Sequence, residues 1–225
     1  MKLLWSPDTA SKAYIDTVKH CKVSGGSGVA ELISAMAAGW NAKVIVETWS
    51  EGGVIETSKG LAIARRHACG RHVCIVPNER SKLEYFERMG ETGTSTEIMV
   101  GEAEEIIEGL IEGIDFMVVD CKGIKDLTRV LKVAKLSVKG AVLICKNAYS
   151  RGSNGNFKWE NVVVEGGSCS RRVVRSVFLP VGKGLDIAHV SGTGGNLVKG
   201  GGNAHKRWIK HIDQRSGEMH VIRRL

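Results

Sequence analysis

The sequence predicts an α/β fold: a doubly wound sheet, mostly parallel, with helices on both faces and an antiparallel hairpin at one edge. Three observations predict it. From Lys43 to Cys145, short apolar β-branched runs alternate with longer amphipathic stretches five times over. Those runs, among them VIVET, VCIV and FMVVD, carry too few polar positions to face water on either side, which marks strands buried between two helical layers. After Gly152 the helical stretches disappear and glycine turns separate the remaining runs, so antiparallel neighbours close one edge of the sheet.

The elements follow in order. Ser6, Pro7 and Asp8 open the first helix with a capping hydroxyl, a proline where its missing N–H is harmless, and an acid in the first turn. Ala10, Ala13, Tyr14, Val18 and Cys21 fall near one face of that helix. The linker SGGSG at 24–28 leads into a second helix, where Val29, Leu32, Ile33, Met36 and Ala37 recur at helical spacing and Gly39 ends the run. With no strand before it, the glycine linker reads as a joint rather than a phosphate loop. KVIVET at 43–48 is the first strand, closed by the acid Glu47 and followed by a polar loop containing Gly52 and Gly53.

Helices are then predicted over 57–68, 79–89, 102–112 and 126–135, and strands over 72–76, 97–100, 116–120 and 141–145. The acids Glu102, Glu104, Glu105, Glu108 and Glu112 read as a solvated helix face whose first members suit the positive N-terminal end. Strands over 161–165, 173–179 and 185–190 form the hairpin-like part. Beyond a glycine-rich stretch, 207–213 and 219–224 flank Arg215-Ser216-Gly217-Glu218 as a last hairpin. The expected organisation is one domain over 1–190, with leading helices in 1–42, a link over 191–204, and a basic hairpin over 205–225 packed on the same domain.

With 225 residues, 43% hydrophobic and 25% charged, the chain fits a globular domain with a sizeable core and excludes a disordered or fibrous protein. Its six cysteines lack the paired spacing of a zinc site or a disulfide framework, so a reducing compartment is expected, cytoplasmic or nuclear. No apolar run reaches the length of a membrane span, and MKLLWSP is too short a run for a secretory signal. The net charge of +8 is uneven: residues 170–225 hold 11 Lys and Arg against 3 Asp and Glu, whereas 1–169 hold 21 of each. Without interleaved aromatics this basic quarter reads as a solvated face, with nucleic acid the less favoured partner. An edge strand or the last hairpin offers a surface for an oligomer, but nothing in the sequence compels one.

Several local words sit in the order of a known family. VIVET, IMVGEAEE, FMVVDCK, AVLICKN and SVFLPVGKGLDIA resemble the strand-ends and terminal hairpin of small class I O-methyltransferases that use S-adenosylmethionine. With MKLLWSPDTASKAYIDTV at the start and WIKHIDQRSGEMHVIRR at the end, the whole chain is most similar to a plant family of unknown function classed as methyltransferase-like. The resemblance implies a Rossmann-like sheet, an S-adenosylmethionine site at the strand ends and a small-molecule methyl acceptor. Its implied cofactor residues are Glu47, Trp49, Gly52, Gly53, Asn78, Glu79, Gly101, Glu102, Ala103 and Asp120.

Three departures fall on positions that bear chemistry. The turn after Glu47 should begin with glycine, but Trp49 stands there, and its side chain is expected to narrow or close the pocket. The ribose-gripping acid at the end of the second strand is Pro77, leaving Glu79 either to substitute or simply to start a helix. The family's metal-dependent branch holds its cation with a strand-four Asp and a strand-five Asp-Asn pair. Asp120 and Asn147 match, but the middle position is Lys146, so no metal is expected. Lys146 is instead expected to pair with Asp120. The pattern's catalytic lysine falls on Gly123, with Lys122 one residue earlier, which leaves Lys122 and Lys146 as the candidates near the acceptor.

Other residues carry weaker signals. Cys121 and Cys145 end strands where sites lie, but core packing is the commoner fate of such cysteines. His67, His72, Arg65, Arg66 and Arg71 read as a solvated basic loop opposite the site, and His189, His205, His211 and His220 lack metal-ligand spacing. Two functions remain. One is an S-adenosylmethionine-dependent methyltransferase without a metal ion, and the other is a non-catalytic Rossmann-like module that binds a partner through its basic C-terminal quarter.

Overall fold

Strand β1 (Val44–Thr48) is central to a seven-stranded sheet whose other members are β2 (Arg71–Val76), β3 (Glu97–Val100), β5 (Phe116–Asp120), β7 (Gly140–Lys146), β8 (Val173–Leu179) and β9 (Leu185–Ser191). This is a computed structural model that describes residues 5–21, 28–122, 127–151, 157, 159, 171, 173–192, 208–212 and 219–223. The strand order is β3-β2-β1-β5-β7-β9-β8. The first five strands run parallel, and β9 pairs antiparallel with both β7 and β8. The order reverses between β1 and β5, which makes the carboxyl ends of these strands the natural position for a crevice. Every residue of β5 and β7 is buried, as their near-continuous apolar sequence requires.

Helices cover both faces. On one face α2 (Val29–Gly39) and α3 (Ile55–Ala68) bury Ile33, Ala37, Leu61 and Ile63 against Ile45, Phe116, Val118 and Ile144. On the other, α5 (Ala103–Leu110) and α6 (Leu127–Val133) bury Ile106, Ile107, Val130 and Leu131 against Val46, Met117, Val119 and Leu143. A third cluster, Trp49, Ile55, Ala62, Cys74, Val76, Tyr85 and Met89, forms around α4 (Glu79–Met89). No helix among the described residues is long and apolar enough to cross a membrane.

The first helix, α1 (Pro7–His20), starts at Ser6 as expected but buries a different face. Ala10, Ala13, Thr17 and Cys21 are inside, while Tyr14 and Val18 are exposed. Polar bonding explains the rotation: the Thr17 hydroxyl bonds the Ala13 carbonyl at 2.7 Å and the Ser34 hydroxyl at 2.8 Å, so a small, satisfied face packs closely on α2. The acidic helix stops at Leu110, two residues short of the expected end. Glu112–Ile114 (β4) instead pairs in parallel with Lys135–Leu136 (β6), which also shortens α6.

The chain divides into two compact units, Met1–Gly194 and Gly195–Leu225. In the second, Trp208–Ile212 (β10) and Met219–Arg223 (β11) form the antiparallel hairpin anticipated at the C-terminus. The strand expected over 161–165 lies outside the described residues.

Candidate functional site

A cleft of about 460 Å³ opens at the carboxyl ends of β1, β2, β3 and β5. Thr48, Trp49 and Ser50 line one side, Ile75, Val76 and Pro77 another, and Gly101 to Glu104 a third. Asp120, Arg129 and Val130 complete it. Gly101 makes the β3-to-α5 turn possible: its φ of +147° suits glycine, and its N–H bonds the Val76 carbonyl at 2.9 Å. The helix α5 then begins beside the cleft, with Glu102 as its exposed N-cap.

Trp49 lines this space without closing it, which corrects the expectation that its side chain would shut the pocket. Its residue is 2% exposed, and its ring meets Tyr85 edge-on at a centroid distance of 5.4 Å within the α4 cluster. Arg88 stacks over the indole, its guanidinium carbon 5.9 Å from the ring centroid. Gly53 serves this packing rather than the cleft wall: a Cβ there would lie 2.8 Å from the Ser50 carbonyl oxygen and 2.9 Å from Trp49 Nε1. Gly52 sits in the exposed part of the loop, where its N–H donates to Glu84 at 3.2 Å.

Glu47 lies beneath the cleft with no exposed surface. Ser58 Oγ donates to its Oε2 at 2.9 Å and Tyr85 OH to its Oε1 at 2.8 Å. His72 Nε2 stands 3.2 Å from Oε1 without meeting hydrogen-bond geometry. Burial pushes the Glu47 carboxyl upward, but His72, Lys146 and Tyr85 outweigh it and hold the group below its ordinary value. Burial, with Glu47 adding to it, raises the Cys74 thiol and the Tyr85 hydroxyl, so both stay protonated beside the carboxylate. His72 is therefore no part of a solvated basic loop. It is 1% exposed because residues 72, 74 and 76 alternate onto the same face of β2.

Asp120 is held from several sides. Its Oδ1 accepts from Asn147 Nδ2 at 2.7 Å and from the Lys122 N–H at 2.9 Å, and its own N–H bonds Thr48 Oγ1 at 3.1 Å. Lys146 is its register partner on β7, with Nζ 3.6 Å from Asp120 Oδ2. This is the ion pair anticipated for Lys146, a charge contact without a hydrogen bond. Asn147 reaches Asp120 because it adopts a left-handed φ of 59° immediately after the strand. The Lys122 side chain itself is exposed.

The structure thus brings Trp49, Gly101, Glu102, Ala103 and Asp120 to the cleft, with Lys146 and Glu47 behind it. It does not bring Asn78 and Glu79 there. Asn78 caps α4 by accepting the Ser81 N–H at 2.8 Å, and Glu79 is the first residue of that helix, paired with Lys82 at 3.3 Å. Sequence reasoning missed Thr48, Ser58, Tyr85 and Arg129. A hydroxyl on the α3 face and a tyrosine on the buried stripe of α4 carry no local signal that they converge on one carboxylate. Among the described residues no group of three or more His, Cys, Asp or Glu side chains is arranged to hold a metal ion.

Solved structures share this architecture. A methyltransferase from Geobacter sulfurreducens is 21% identical, with a TM-score of 0.54 over 83% of this chain and 91% of its own. The S-adenosylhomocysteine-bound methyltransferase PaMTH1 of Podospora anserina is 15% identical, with a TM-score of 0.53 over 82% and 88%. A putative caffeoyl-CoA O-methyltransferase from Staphylococcus aureus is 18% identical, with a TM-score of 0.51 over 80% and 98%. At these identities the likeness establishes a methyltransferase-like Rossmann fold. No curated protein matches the chain. Residues 1–224 match the family described as "Protein of unknown function (DUF1442)", and the chain belongs to that family.

Proposed function

We propose that the protein binds S-adenosylmethionine in the cleft over β1, β2, β3 and β5 and transfers its methyl group, without a metal ion, to a small-molecule acceptor. The observation that carries this reading is the cleft itself: about 460 Å³ stands open at the strand ends, because the Trp49 ring is folded into the α4 cluster instead. The binding of S-adenosylhomocysteine by the Podospora relative supports it.

The residues present fit such a ligand. Ile75, Val76, Ala103 and Val130 offer apolar walls for a purine, and Glu102 at the exposed helix start can accept hydrogen bonds from ribose hydroxyls. S-adenosylmethionine, when bound, supplies an electrophilic methyl on a sulfonium. Asp120, oriented by Asn147 and the Lys122 N–H, keeps lone pairs to accept a hydrogen bond from an acceptor hydroxyl. Glu47 acts differently from the resemblance: with Ser58 and Tyr85 on its oxygens it supports the floor rather than contacting a ligand.

Isothermal titration of the full chain with S-adenosylmethionine and S-adenosylhomocysteine tests this. We expect micromolar binding of at least one, unchanged by a chelator and lost when Ala103→Trp fills the cleft. Silence at high ligand concentration would overturn the reading and leave the non-catalytic module, acting through the basic C-terminal quarter, as the function to pursue.

A further inference from the structure

Three neighbouring strands end in an unusual charge arrangement. Glu47 on β1, Asp120 on β5 and Lys146 on β7 lie in the same phase of the pleat and are 0%, 7% and 4% exposed. One interior ammonium, Lys146, therefore faces Asp120, with the His72 imidazole beside Glu47 on the neighbouring strand. Such an ammonium ordinarily spends its three N–H groups on hydrogen bonds. Lys146 Nζ makes none and touches no solvent, and its 3.6 Å separation from Asp120 Oδ2 is a pure charge contact. Asp120 is aimed at it, because Asn147 and the Lys122 N–H occupy the other oxygen. The same ammonium helps hold Glu47 ionised, after His72. A positive charge held against the Asp120 carboxylate through electrostatics rather than directed bonds resembles a bound cation.

We propose that Lys146 is a built-in cation: its ammonium occupies the place a metal ion would take against Asp120, so the floor of the cleft carries a fixed positive charge supplied by the chain. This rests on the metal-free part of the proposed function and deepens it, assigning Lys146 as a positioning residue that acts through Asp120. The chemistry makes the position convertible. Removing the ammonium leaves the interior Asp120 carboxylate without its cation, and replacing it with an oxygen ligand creates a site suited to a hard divalent cation.

The test is Mn²⁺ binding to the full chain, followed by the electron paramagnetic resonance signal of free Mn²⁺, for wild type, Lys146→Asp and Lys146→Ala. We expect no detectable Mn²⁺ binding by wild type and, for both variants, binding at least about tenfold tighter than the wild-type detection limit, abolished when Asp120→Asn is added. Mn²⁺ should also raise the Tm of the variants and leave that of wild type unchanged. Wild-type binding that disappears in Asp120→Asn would overturn the proposal, as would folded variants that bind no better than wild type. Should a variant fail to fold in buffer, its refolding in Mn²⁺ supports the proposal, and failure to refold there counts against it. The S-adenosylmethionine titration is a separate measurement, so failure of cofactor binding and failure of the built-in cation give different results.

Discussion

Glu47 shows how a residue can keep its place in a fold and change its task. At a strand end facing a crevice, a carboxylate is ordinarily available to a ligand, but here its oxygens take hydrogen bonds from Ser58 and Tyr85, and the His72 imidazole lies 3.2 Å away. Glu47→Gln puts an amide N–H₂ among donors, so we expect a loss of about 1–3 kcal/mol at neutral pH, measured by denaturant unfolding. The sign with pH is fixed by the depressed carboxyl. A group whose folded value lies below its ordinary 4.5 contributes stability that is present above that value and disappears as pH falls through the lower one. Wild type should therefore approach the variant in stability as the medium becomes acidic. A gap that stays constant down to the acid limb would show that the charge of Glu47 does not carry the effect.

At the scale of elements, the loop between β1 and α3 couples packing to the cleft. Trp49 packs against Tyr85 and under Arg88, and Gly53 leaves room for the indole edge. Trp49→Ala should cost about 3–5 kcal/mol in stability by opening a cavity between α3 and α4. Because the ring packs into the α4 cluster and does not fill the cleft, S-adenosylmethionine affinity should stay within about twofold at temperatures where the variant is folded. A marked gain in affinity would instead mean that the indole obstructs the ligand. Gly53→Ala should cost about 1–3 kcal/mol, since the Ser50 carbonyl at 2.8 Å belongs to the backbone and cannot swing away. The strands around this loop were legible because alternation and apolar runs report burial directly, and β1, β3 and β5 end at the threonine, valine and aspartate that the sequence indicated. The Trp49 rotamer was not legible. A bulky residue in a glycine position announces a conflict, but only the tertiary arrangement of Tyr85, Met89 and Gly53 decides which way the ring turns. The α1 face was misread for a related reason: hydrophobicity favoured Tyr14 and Val18, while a hydroxyl pair between Thr17 and Ser34 fixed the rotation.

At the scale of the whole molecule, charge and cleft are segregated along the chain. Residues 170–225 carry 11 basic against 3 acidic side chains, whereas the described residues lining the cleft run from Thr48 to Val130 and include Glu102, Glu104 and Asp120. Arg129, the basic residue of that lining, is paired with Glu104. With Asp120 facing Lys146 and Glu104 facing Arg129, Glu102 leaves the cleft lining net negative in a positively charged protein, which suits a sulfonium ligand, while the basic quarter suits an anionic one. If the two regions act independently, reversing charge at Lys206→Glu and Arg207→Glu should leave S-adenosylmethionine affinity within about twofold of wild type. The same pair of changes should reduce any binding of a single-stranded oligonucleotide, whose affinity must fall steeply as salt rises because it depends on counterion release. Coupling is reciprocal, so one titration series decides: saturating oligonucleotide leaves cofactor affinity unchanged when the regions are independent, and shifts it by the factor with which the cofactor shifts oligonucleotide binding when they are not. A shift of more than about fivefold, roughly 1 kcal/mol, would show that the basic quarter and the cofactor site are energetically coupled and would overturn their independence.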